Sequence, residues 1–144
     1  MILDWSEPFV LSTPVAIRAI ELLFAWSMCI QTLEYWRMRP ATRGEGLWIW
    51  SIQRQDIPNA WVRQVLDALF TEDMFSTLLV LRFVALVSLA IQGNHIVNIG
   101  FLFLSNLAIL IRWRGAFNGG SDFMTLVVLT GLLIAQIVSL HSGP

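Results

Sequence analysis

The sequence predicts an all-α integral membrane protein: four transmembrane helices, with an amphipathic helix at the membrane interface in the long loop between the first two. Three observations lead there. Hydrophobic residues make up 56% of the 144 and charged residues only 13%, against about 45–50% and about 25% in soluble domains. The apolar residues gather into four runs of sixteen to twenty-two, near the length of about 20 that crosses a bilayer. The arginines between those runs all fall on one side of the implied membrane.

The first run, residues 15–36, reads "VAIRAIELLFAWSMCIQTLEYW". In lipid its backbone groups must bond internally, so a helix is the only solution. Residues 37–73 follow and hold most of the charge. Inside them "GEGLWIWSIQ" offers Trp48 and Trp50 as interfacial anchors. Next, "IPNAWVRQVLDALF" sets Ile57, Trp61, Val62, Val65, Leu66, Leu69 and Phe70 at helical spacing, with Arg63, Gln64 and Asp67 opposite. Pro58 suits a first helical turn, and a helix over 58–70 is expected to lie in the interface with Trp61 as a third anchor. The competing expectation is that this face packs on the protein's own bundle.

The second run, residues 74–91, is "MFSTLLVLRFVALVSLAI". The turn "QGNH", 92–95, folds it into an antiparallel hairpin with the third run, 96–111, a short span that borrows flanking residues. The glycine-rich "RWRGAFNGGS" then leads to the fourth run, 123–140. Asn118, Gly119 and Gly120 form the turn there. Ser121 or Asp122 is expected to cap the helix by accepting its free amide hydrogens, the acid also suiting the positive end of the dipole. The whole chain, 1–144, reads as one membrane domain without internal repeats.

Seven arginines (Arg37, Arg39, Arg43, Arg54, Arg63, Arg112 and Arg114) lie on the side of the long loop, and none outside the spans on the other. The positive-inside rule puts the 37–73 loop in the cytoplasm and both termini in the periplasm of a bacterial inner membrane. A net charge of −1 argues against a nucleic-acid partner. The nine basic residues are all arginine, which removes lysine chemistry. Cys29 is the single cysteine, so no internal disulfide or thiolate cluster forms. It reads as an inert small hydrophobe in the first helix.

The charges inside the spans are the candidate site. Arg82 sits in the centre of the second run, where a lone arginine costs about 2.5–3.5 kcal/mol on insertion scales, so it must face the bundle. Counted from the outer end at 1.5 Å per residue, Glu21 lies about 9 Å deep and Arg82 about 13–14 Å. An arginine snorkelling outward spans that difference. The expectation is a Glu21–Arg82 pair, shared with Arg18 one turn from Glu21. It serves either as a clasp fixing helix register or as a site for a proton, an anion or a quinone head group. His95 and His141 both fall on the outer face and could touch haem, copper or a pigment, or be ordinary interfacial histidines. Ser88, Asn98, Ser105, Asn106, Thr130, Gln136, Gly100 and Gly131 read as helix-packing positions. No nucleophile–base pair, phosphate loop or catalytic carboxylate pair is visible.

The segments "AIRAIELL", "GEGLWIW", "VLRFVALVSLAI" and "RWRGAFNGGSDFMTLVVLTGLLIA" resemble the first half of HTTM-type bacterial membrane proteins, relatives of the vitamin-K-dependent carboxylase membrane domain. The outline is also similar to DoxX-like four-helix membrane proteins. The resemblance covers most of the chain and is sharpest at "NGGSD", Asn118 to Asp122. It implies the fold and a membrane setting, and a quinone-like ligand near Arg18, Glu21 and Arg82. It does not extend to carboxylase activity, since those enzymes use a lysine base. Ser121 and Asp122 stand where their catalytic histidine would be sought. Two roles remain: a non-enzymatic accessory subunit of a respiratory or photosynthetic complex, touching partner subunits, lipids, quinones or pigments, or a small redox or carrier protein.

Overall fold

In a computed structural model of the chain, residues 13–42, 49–93, 95–113 and 120–142 are described. They form six α-helices and no strand: α1 Thr13–Met38, α2 Trp50–Gln53, α3 Ala60–Leu69, α4 Glu72–Gln92, α5 Ile96–Arg112 and α6 Gly120–Ser142. Two apolar segments, Val15–Ala41 and Glu72–Gln92, are long enough to cross a membrane, and two shorter ones, Ile96–Arg112 and Phe123–Val138, accompany them. Each predicted run therefore lies inside a helix that extends a little beyond it.

The helix ends have local causes. Asn59 caps α3, its side chain accepting from the amides of Trp61 (2.9 Å) and Val62 (3.2 Å). That cap moves the start to Ala60 and leaves Pro58 ahead of the helix instead of in its first turn. Glu72 and Asp73 occupy the first turn of α4, where acids favour the positive end of the dipole. Gly93 ends α4 with φ +83° and ψ −168°, a region essentially reserved for glycine. α6 begins at Gly120, so Ser121 and Asp122 are helical residues within its first turn. Asn118, Gly119 and the side chains of Ser121 and Asp122 lie outside the described residues.

α1 packs chiefly on α4, α4 on α5, and α5 on α6. The buried positions follow a 3–4 spacing: Glu21, Ala25, Met28, Thr32 and Tyr35 on α1; Phe75, Leu78, Arg82, Ala85 and Leu89 on α4; Ile99, Leu102, Asn106, Ile109 and Trp113 along α5 and its C-cap. This is the seam of left-handed helix packing. It divides the core in two. One half gathers Tyr35, Phe75, Leu79, Ile109 and Trp113. The other gathers Ala25, Met28, Leu86, Leu102 and Leu129. Between them lies a polar layer.

The segment from α2 to α3 closes the first half. Leu66 and Phe70 are buried in it, with Trp50, Ile57, Val62 and Leu69 packed against it. The predicted apolar face is thus shared: these residues turn onto the bundle, while Trp61 and Val65 are exposed. Asp67, on the face opposite the apolar one, accepts from Trp50 Nε1 (2.7 Å) and Arg54 (2.6 Å). The Trp50 ring meets Phe70 edge to face at 4.6 Å, so its indole is a strap within the protein rather than an outward anchor. Gly100 and Gly131 do not bring helices close, since a Cβ at either would meet nothing within 4 Å.

Candidate functional site

The expected Glu21–Arg82 pair does not form. Glu21 is bonded to Arg18 at 2.8 Å. Arg82, fully buried, donates to four neutral oxygens: Nε to Thr32 Oγ1 (3.1 Å), one terminal nitrogen to Ser105 Oγ (3.3 Å), the other to Asn106 Oδ1 (2.9 Å) and Gln31 Oε1 (3.2 Å). The reason is directional. A helical side chain leans toward the N-terminus of its own helix, so Arg82 on α4 leans toward residues 78 and 79. In the antiparallel α1/α4 pair that is the level of Thr32, about 16 Å along α1 from Glu21. Outward snorkelling would oppose the lean.

The acceptors are pre-set. Thr32 Oγ1 spends its proton on Met28 O (2.7 Å), and Ser105 Oγ on Leu102 O (2.9 Å). Both therefore present lone pairs to the guanidinium. Asn106 turns its carbonyl oxygen to Arg82, and its buried Nδ2 finds no hydrogen-bond partner among the described residues. Ser105 and Asn106 do pack helices, as read from the sequence, by answering a cation.

Arg18 performs a different task. Besides Glu21 it donates to the carbonyls of Leu89 (3.1 Å) and Ala90. These belong to the last turn of α4, where the helix's own ladder runs out: the Leu89 carbonyl also accepts from the Gly93 amide (3.0 Å), and Arg18 adds the donor that the ending helix does not supply. The guanidinium also neutralises the negative end of that dipole. Glu21 holds Arg18 in place beside Gly93, where a Cβ would meet only ordinary contacts, 3.5 Å from Arg18 and 3.6 Å from Glu21; glycine is required there by the backbone, not by space. The three predicted residues thus form two separate devices. Arg18 as the C-terminal cap of α4 was legible only in an arginine one turn into one helix and a glycine ending another.

Beside the polar layer, α1 and α6 leave a seam, a cavity of about 430 Å³ lined by Ser27, Gln31, Glu34, Met124, Thr125 and Val128 among others. Ser27, Gln31 and Glu34 recur at helical spacing, so one stripe of α1 is polar on the side facing α6. Through Gln31 this stripe touches Arg82. Sequence reading missed it, although three polar residues at i, i+4, i+7 in an apolar helix are its signature.

The histidines are exposed and separate in role. His141 bonds the carbonyl of Ile137 one turn back (2.8 Å). His95 occupies the N-cap of α5 without a side-chain cap bond and lines a groove along the α4/α5 hairpin. Among the described residues no three His, Cys, Asp or Glu side chains converge to hold a metal. Asn98 bonds the carbonyl of Ala85 (2.9 Å), locking that hairpin, while Thr130 bonds within α6. Cys29 is half-buried beside the Ala25–Met28 core. Trp48 lies outside the described residues.

No protein-family model, curated protein or solved structure matches this chain.

Proposed function

We propose that the chain is a multi-pass protein of the bacterial inner membrane. It serves as a non-catalytic accessory subunit of a larger respiratory or photosynthetic complex. In this reading α1, α4, α5 and α6 all span, both termini face the periplasm, and the 37–73 loop is cytoplasmic with Trp61 turned to the interface. The resemblance to HTTM-type and DoxX-like proteins is carried as a proposal of kinship, resting on the segments quoted above.

One observation carries the reading: the protein buries a polar layer between its apolar half-cores and turns large apolar side chains outward. Leu23, Trp26, Ile91, Val97 and Leu104 are each at least 65% exposed, while Arg82, Thr32, Ser105 and Asn106 are buried. Water does not tolerate apolar surface on that scale, since patches beyond a few hundred Å² mark contact with lipid or protein. In hydrocarbon the outer faces cost nothing. An accessory role is supported by where the charges go, since Arg82 and the Arg18–Glu21 pair both hold helices together. The α1/α6 seam, with its stripe of Ser27, Gln31 and Glu34, offers a partner subunit's helix a polar track.

Membrane extraction and native sizing test this. The protein should resist carbonate washing, and mild detergent should release it in a complex larger than 16 kDa that contains other chains. A lone monomer under those conditions sinks the accessory role. A cysteine placed in the 37–73 loop that reacts from the periplasmic side sinks the topology.

A further inference from the structure

α1 packs chiefly on α4, and α6 on α5, so the run of four helices stays open between its two ends. The α1/α6 seam lies in that opening. The wall that α1 gives it has a 3–4 spacing of its own, one residue out of step with the buried set. Ile20, Leu23, Ser27, Ile30, Glu34 and Arg37 are all exposed. α1 therefore carries two packing faces about 100° apart, and α4 covers only one of them. The open face runs about 26 Å from Ile20 to Arg37, most of the hydrocarbon thickness of about 30 Å in a bilayer. Hydrocarbon suits Ile20, Leu23 and Ile30. It offers no hydrogen bond to Ser27 and no counter-charge to Glu34, whereas small hydroxyl residues are what membrane helices use at their contacts.

The order of the polar residues says which helix fits. Two copies in one membrane share a topology, so a two-fold axis along the membrane normal sets their α1 helices parallel and brings like depths together. Ser27 then meets its own counterpart, and a hydroxyl both donates and accepts. Glu34 and Arg37 lie about 4.5 Å apart along the helix axis, so each Glu34 comes beside the opposite Arg37. The four charges close into a ring of alternating sign, with no outside cation needed. We propose that the chain pairs with a second copy of itself through this face, the second α1 lying along the seam against Met124 and Thr125. The pairing rests on the spanning arrangement proposed above and makes the partner helix of the seam a second copy, while other subunits attach elsewhere.

Disulfide trapping of the full chain in its native membranes tests this, in a Cys29→Ala background. Leu23→Cys or Ser27→Cys should join two copies on oxidation. Leu22→Cys or Leu33→Cys, which line the α1/α4 groove on the same helix, should not. The second readout is energy transfer between labelled copies diluted in mild detergent. Glu34→Arg and Arg37→Glu should each weaken pairing about ten-fold by turning two ion pairs into repulsions. The double reversal should restore it, because the ring re-forms. Trapping at Leu22 or Leu33 in place of the seam overturns the proposal, as does a double reversal no better than the single ones. A seam cysteine that joins a different chain assigns the seam to that subunit and overturns it too. Protein that washes off with carbonate overturns the membrane reading and the pairing together, whereas protein that stays and gives no trapped dimer overturns the pairing alone. Paired copies without any other subunit uphold the pairing and sink the accessory role.

Discussion

Arg18 and Arg82 solve one problem in two ways. Each is a guanidinium on an apolar helix, yet Arg18 is answered by a carboxylate and a helix end, and Arg82 by side-chain amides and hydroxyls. The Arg18 side chain remains 35% exposed, near the end of its helix. Arg82 is fully buried between two apolar half-cores. Near an end, orphan carbonyls are already present and need a donor. At mid-helix every carbonyl is taken by its own ladder, so side-chain oxygens must be supplied from the neighbours. The two positions differ in what the backbone leaves over.

The largest expected effect breaks the central device while keeping its charge. Thr32→Val combined with Asn106→Leu strips acceptors from a buried cation and should cost about 3–5 kcal/mol, read as a lowered unfolding midpoint in detergent. Arg82→Met, which removes the charge as well, should cost less than that double change. If it costs more, the layer is not organised around satisfying the cation. Next comes Gly93→Ala. The Cβ has ordinary space, so the penalty is backbone strain at φ +83°, about 1–3 kcal/mol. Arg18→Met should cost about 1–2 kcal/mol and speed hydrogen exchange in residues 89–92 while leaving the Arg82 layer protected. Loss of protection in both places would mean the two devices are one. The smallest effect is expected at the Arg54–Asp67 pair, whose side chains are 43% and 32% exposed. Asp67→Asn should change stability by less than about 1 kcal/mol, with added salt narrowing the difference further.

The helices were readable because length and apolarity alone define them, and the hairpin because "QGNH" puts glycine between two apolar runs. Which face of each run turns inward was not readable from hydropathy. Leu86 is buried and Val87 is exposed, and they are equally greasy, so hydropathy gives no reason to sort them. The signal was in the polar residues instead. Thr32, Arg82 and Asn106 fall on the same 3–4 seam as the small and apolar core positions. Taken as a pattern, they would have pointed Arg82 at α1 and α5. The depth argument measured each charge from its own helix end and ignored the lean of the side chain, so it matched Arg82 with an acid that was already engaged. Glu34 and its stripe were legible in a different signal, the i, i+4, i+7 spacing of Ser27, Gln31 and Glu34.

By itself the sequence determined that apolar helices must form and where they stop. Backbone groups away from water have to pair within the helix, and glycine, asparagine and acidic residues mark the ends. Only the tertiary structure decided which oxygen meets which cation. That choice depends on helix rotation and register, and these are set by how side chains interlock between α1, α4 and α5, a property of three segments together.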